Sequence, residues 1–185
     1  MVEVQRRAAE VGDVEVAGFQ TAISIGFHLD AGVHLRELVR LAERWEAEEL
    51  RWGNEGMLKM LRASLELARM ATAPEDQKSP PFPTLEQVRS NTTLSGIMIN
   101  VVVTMAVFGR VLRGDWAGAL READALAESN ALGRGTTQPA RLAIYHALAL
   151  GQRWPRADKR ERRSIRKRMV AALAQLRNAA RWNPH

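Results

Sequence analysis

Nine cationic side chains fall within sixteen residues near the C-terminus: Arg153, Arg156, Lys159, Arg160, Arg162, Arg163, Arg166, Lys167 and Arg168. Of these, Arg156, Arg160, Arg163 and Lys167 recur at helical spacing and are expected to share one helix face. Such a face can neutralise phosphates, an anionic lipid surface or an acidic protein. No aromatic residue lies between Lys159 and Met169 to stack on bases, so the row offers charge without an element that reads a nucleic-acid sequence. The basicity is local. Residues 152–185 hold eleven of the 27 Lys/Arg but two of the 21 Asp/Glu, and the remainder of the chain is slightly acidic although the net charge is +6.

Other chemistry-bearing patterns are weaker. Gly133-Arg134-Gly135-Thr136-Thr137 precedes a helical segment and could cradle an anion, but it lacks the Lys and the spacing of a phosphate-binding loop and reads as a capped turn. His28, His34, His146 and His185 show no paired metal-ligand spacing and read as core-edge or surface residues. Glu43, Glu46, Glu48 and Glu49 read as a solvated face opposite Trp45. With no Cys, thiol catalysis, thiolate metal sites and disulfides are excluded. No acid, base and nucleophile come together by spacing, so neither an enzyme nor a bound cofactor or metal is expected of this segment. The five Trp, with Met57, Met60 and Met70, could mark a binding groove; Trp45 and Trp116 lie on apolar stripes and read as core, whereas Trp52, Trp154 and Trp182 lie at helix ends or linkers.

The elements that must position these residues are helical. The 185 residues are 46% hydrophobic and 26% charged, with Ala and Leu the dominant types and few alternating strand patterns. Asp13 is expected to cap a helix that carries Val16, Phe19, Ile23, Gly26 and Phe27 on one face and ends near Gly32. The next spans about 34–52 with Leu35, Leu38, Ala42, Trp45 and Trp52 on its stripe, before a Gly53-Asn54 cap. A third opens near Glu55 and carries Leu58, Leu61, Leu65 and Ala68. Pro74, Pro80, Pro81 and Pro83 then force an extended connection.

Beyond it, Thr84 begins a short helix, and the apolar run from Leu94 to Leu112 reads as a helix despite the β-prone Val101-Val102-Val103. Its Gly96–Gly109 core is shorter than the roughly 20 residues that span a bilayer, so a buried helix is expected. After the Gly114-Asp115 break come a helix carrying Trp116, Ala119, Leu120, Ala123 and Ala127, and one capped by Thr136 or Thr137 with Ala140, Ala143, Ile144, Ala147 and Leu148 packed. That helix should stop at Gly151. The last, about 158–180, places Ile165, Met169, Ala172, Leu173, Leu176 and Ala180 on its buried stripe. The opening Met1–Arg7 has no apolar signal-peptide core, and a cytoplasmic location is expected.

About eight helices joined by Gly-containing turns predict an all-α chain, a right-handed α-solenoid of helix hairpins. Residues 1–72 form the N-terminal hairpins, 73–84 a Pro-rich linker, and 85–185 the C-terminal hairpins of one continuous array. Gly114-Asp115-Trp116-Ala117-Gly118-Ala119-Leu120 resembles the middle of a tetratricopeptide repeat. The resemblance implies a structural turn in which Gly114 opens the bend, Trp116 packs beneath it and Ala119 allows close helix approach. Ala106-Val107 stand where that repeat has Leu-Gly, and no second copy follows at the ~34-residue period, so the repeat is degenerate.

Over residues 12–184, the Gly12-Asp13 and Gly114-Asp115-Trp116 turns, Ile144-Tyr145-His146-Ala147-Leu148 and the closing Leu176 to Trp182-Asn183-Pro184 are similar to the helical region of large bacterial signalling proteins. Those combine a serine/threonine-kinase-like domain, a signal-transduction AAA-type ATPase and a sensor histidine kinase; no motif of those activities occurs here. The resemblance implies a non-catalytic scaffold for protein–protein or interdomain contacts within a larger parent chain. The alternative is a nucleic-acid-binding helical protein using residues 156–168.

Overall fold

The computed structural model describes residues 7, 8, 10–13, 16–18, 20, 21, 24, 25, 28, 32–53, 55–72, 82–90, 96–128 and 138–182. Among these the chain is helical without strands, and it divides into two compact units, residues 1–81 and 82–185. No helix among the described residues is long and apolar enough to cross a membrane.

In the first unit Asp13 caps a helical turn as expected, its Oδ1 accepting from the Val16 amide at 3.1 Å. Val16 itself faces solvent, while Ala17, Thr21, Ser24 and Ile25 are buried. The expected face is therefore turned. Phe19, Ile23, Gly26 and Phe27 lie outside the described residues. Helix α1 (Leu35–Trp52) pairs with α2 (Glu55–Thr72) as a hairpin. Gly53 closes α1 at φ 69°, a left-handed cap that returns its amide to the Glu49 carbonyl. Leu38, Ala42 and Trp45 meet Leu58, Leu61, Leu65 and Ala68 in the core, and Met57, Met60 and Met70 are buried with them, so these methionines fill the core and do not line a groove. Across the solvent side Arg62 pairs with Glu46 at 2.6 Å and Arg69 with Glu43 at 2.9 Å.

The second unit begins inside the expected linker. Phe82 is buried, and Thr84 caps α3 (Leu85–Arg89) through a capping box with Gln87. Helix α4 (Gly96–Leu112) is buried along Val101, Val102 and Val103, because α3, α5 (Trp116–Glu128) and α6 (Gln138–Arg153) all pack against it. Burial on nearly every side overrides the β preference of the triplet. Helices α4, α5 and α6 pack mutually, with Phe108 stacked on Tyr145 at a ring separation of 4.9 Å. Helix α6 runs through Gly151 to Arg153, then a 3-10 turn (Trp154–Arg156) leads into α7 (Lys159–Trp182), which pairs with α6. The Gly133–Thr137 segment, with its candidate caps Thr136 and Thr137, lies outside the described residues.

Two apolar stripes sit differently from expectation. On α6, Leu142, Ala143, Ala149 and Leu150 are buried while Ile144 and Leu148 are 44% and 51% exposed. On α7, Ile165 and Ala172 are buried, but Leu173 and Ala180 are exposed. On α5, Ala119, Leu120 and Ala123 are buried as expected, whereas Ala127 faces solvent.

The α4–α5 corner is set by one buried cation. Arg110 donates to Asp115 Oδ2 at 2.8 Å and to the Phe82 carbonyl at 2.7 Å, with its guanidinium over the Phe82 ring. Asp115 caps α5 by accepting from the Gly118 amide at 2.9 Å, and its carboxyl is held below the usual carboxylate range: burial works against ionisation, but the Gly118 amide and Arg110 outweigh it. Gly114, at φ 71°, lets the chain turn between the two helices. Glu122, buried on α5, accepts the Leu85 amide at 2.8 Å and fastens the start of α3.

This corner reverses a usual substitution rule. Gly→Ala inside a helix normally stabilises by about 0.5–1 kcal/mol. A Cβ at Gly118 would stand 2.2 Å from Asp115 Oδ2, which Arg110 pins. Gly118→Ala should instead destabilise the protein by about 1 kcal/mol, the usual worth of a helix cap, and Arg110→Met by about 2–3 kcal/mol by orphaning the Phe82 carbonyl and Asp115. Urea denaturation checks both; a more stable Gly118→Ala variant would show that Asp115 is free to move.

Candidate functional site

Helix α7 opens under restraint. The Asp158 carboxylate accepts the Glu161 amide at 2.8 Å, while Arg162 folds back to donate to the Pro155 carbonyl at 3.3 Å and lies over the Trp154 ring. Trp154 is thus engaged locally; the side chains of Trp52 and Trp182 lie outside the described residues. On the inward side, Glu161 pairs with Arg153 of α6, and Arg168 pairs with Asp124 of α5. His146 joins this second pair, its Nε2 lying 2.7 Å from Arg168 and 3.0 Å from Asp124. Burial, reinforced by the Arg168 charge, depresses the imidazole below its ordinary value. The Asp124 carboxylate on the same nitrogen works against that depression, so the ring sits between a cation and an anion. One residue from each of α5, α6 and α7 meets at this point.

The outward side is different. Lys159, Arg160, Arg163, Arg166 and Lys167 are exposed and have no acidic partner among the described residues. Lys159, Arg163 and Lys167 form an unbroken i,i+4 row, and each such like-charge neighbour pair costs a helix about 0.2–0.5 kcal/mol. The first turns of a helix also carry the positive end of its dipole, where cations are unfavourable. Arg160, Arg163 and Lys167 stand together on α7 as the spacing predicts. Arg156 does not join them: the helix begins at Lys159, and Arg156 belongs to the preceding 3-10 turn.

Arg156 instead lines a groove of about 460 Å³ with Asp115, Trp116, Leu120, Gln152 and Arg153. A second hollow of about 320 Å³, bordered by Arg121, Asp124, Ser164 and Arg168, shares Leu120, Arg153 and Glu161 with it, so the two adjoin in a channel-like depression beside α5 that the Arg153–Glu161 pair divides. Trp116, expected in the core, is half-buried and forms part of its wall; Ala119, behind it, is fully buried. Most charges along the channel are already paired: Arg153 with Glu161, Arg168 with Asp124, Asp115 with Arg110. Among the described residues no three His, Asp or Glu side chains gather in a metal-holding group.

The acidic cluster of α1 contains one residue that sequence spacing misplaces. Glu43 and Glu46 are bound in surface ion pairs, but Glu49 continues the buried Leu38–Ala42–Trp45 stripe and is fully buried. Its two oxygens lack well-formed hydrogen bonds, although the Thr21 hydroxyl, which donates to the Ala17 carbonyl at 3.0 Å, lies beside them. Burial, with a smaller push from Glu48 and against relief from Thr21, raises the carboxyl to about 7. Nearby, His28 Nδ1 donates to the Ser24 carbonyl, 2.8 Å away, and the ring meets Trp45 edge to face at 5.7 Å, while His34 caps α1. The apolar i+4 spacing from Trp45 was the available signal for Glu49; its charge argued against it.

The native state holds the Glu49 proton to higher pH than the unfolded chain does, so stability should fall as pH rises from about 4.5 to about 7 and level off above. Glu49→Gln should remove most of that slope and be roughly 2 kcal/mol more stable than wild type at alkaline pH. Urea midpoints across pH check this; an unchanged slope in the Gln variant would assign the titration to another group.

No family model matches the chain, and no match emerges among curated proteins or solved structures, so its function has to be read from its own residues.

Proposed function

We propose that this chain is a non-catalytic helical scaffold that makes a protein or interdomain contact, in the manner of a degenerate tetratricopeptide-like repeat of a bacterial signal-transduction protein. The contact is made by the outer face of α7 with an anionic partner. The observation that carries this reading is the exposed row Lys159–Arg163–Lys167 with Arg160 and Arg166 beside it, without acidic partners among the described residues and with Lys159 and Arg160 at the wrong end of the helix dipole. Sequences break local rules of this kind where function demands it, at a cost in stability. Two other cations of the same helix, the half-buried Arg168 and the exposed Arg162, do have partners, so the bare row is not simply the overflow of a basic sequence. A polynucleotide backbone on the same row is the second reading, favoured by the same charges.

If the row is held for a partner and not for the fold, reversing it should help the fold. Arg160→Glu with Arg163→Glu and Lys167→Glu should raise stability by about 0.5 kcal/mol, by placing a negative charge in the first turn and turning the Lys159–Arg163 and Arg163–Arg166 neighbours into opposite-charge pairs, partly offset by the new repulsion between the carboxylates at positions 163 and 167. Wild type should bind poly-L-glutamate in a salt-sensitive manner by fluorescence anisotropy, and the same variant should lose that binding. A drop in stability, or binding that survives reversal, would overturn the reading.

A further inference from the structure

The outer face of α7 is not uniformly charged. Val170 is 59% exposed and Leu173 50%, and the stripe Arg166, Val170, Leu173, Arg177 runs at i, i+4, i+7 and i+11. Two branched aliphatic side chains thus stand in water with cations at both ends: Arg163, Arg166 and Lys167 on one side, Arg177 and Arg181 on the other. From Lys159 to Arg177 the stripe covers about 27 Å of helix.

This order of groups discriminates among anionic occupants. A nucleic-acid backbone presents phosphate at regular intervals and would meet an apolar interruption between Lys167 and Arg177. An anionic membrane would take a helix whose cations and apolar groups lie on opposite faces, whereas here they succeed one another along one face. A second copy of α7 would set cation against cation in either orientation. A seam with an apolar centre and charged flanks, repeating by three and four residues, is the surface another helix packs on.

Resting on the reading of this face as an anion-seeking contact, we infer that its partner is an acidic amphipathic helix. Two apolar residues of that helix cover Val170 and Leu173, and its Asp or Glu side chains face Arg163, Arg166 and Lys167 at one end and Arg177 at the other. Desolvating the aliphatic pair supplies affinity, and the flanking ion pairs fix register and exclude basic partners.

The test is a display library of alanine-based helical peptides, randomised along one face and selected against the full chain at physiological salt. Enriched helices should carry two apolar residues flanked by Asp or Glu. Val170→Gln with Leu173→Gln should weaken their binding at least about tenfold while leaving the helical circular dichroism unchanged. Binding that is indifferent to the Gln pair but lost on charge reversal would overturn the helix partner and leave the anionic contact standing. So would a selection that fails while duplex DNA binds the same row, which would make the partner a polynucleotide. Failure of both peptides and DNA to bind would remove the contact face as well.

Discussion

The guanidinium of Arg110 is the fixed point of the second unit. It is buried at the end of the most apolar helix in the chain, and it satisfies in one stroke the Asp115 cap of α5 and the carbonyl of Phe82, where the unit begins. A charge in that position is tolerable only because each contact is charge-assisted and directional. The alternative, an apolar residue there, would leave a carbonyl and a carboxylate with nothing to hold. Everything downstream inherits its placement: α5 carries Asp124 and Glu122, Asp124 meets Arg168 of α7, and Glu122 secures α3.

Helix α7 is accordingly a helix with two kinds of cation. Arg168 is built into the fold through Asp124 and His146, and Arg162 braces the entry turn, so mutation of either should be felt as structure. The outward set has no acidic partner among the described residues. The same residue type therefore stands in opposite surroundings within seven positions, and only the neighbours on α5 and α6 tell them apart.

This also explains what could be read from sequence. Helix positions in α1, α3 and α5 followed from caps and periodicity, because Gly53, Thr84 and Gly114 act locally. The Arg160–Arg163–Lys167 face was legible for the same reason. Facing errors arose where burial depends on what lies opposite. Ala143, Ile144 and Leu148 looked inward from their spacing, yet of these only Ala143 is buried, and Leu142, Ala149 and Leu150 complete the core side in a helix whose His146 meets Asp124 of α5 and whose Arg153 meets Glu161 of α7. Leu173 was misassigned because a Leu one position past Ala172 fits a broad stripe equally well. Glu49 was invisible as a core residue since its charge outweighed its position, and Arg110 gave no signal at all, because its partners lie five residues ahead and twenty-eight behind.

The restraint on the first turns of α7 comes from a few groups, chiefly Asp158, Glu161 and the fold-back of Arg162. Against them stands the mutual repulsion of a bare cationic row. Dissolved ions shield that repulsion within a Debye length of about 8–10 Å, and multivalent anions act on the row as surrogate counterions, while the same shielding weakens the exposed Arg153–Glu161 pair that restrains it. The Asp158 cap and the Arg162 fold-back depend less on the surrounding salt, so they are what keeps the front of α7 in place when ionic strength changes.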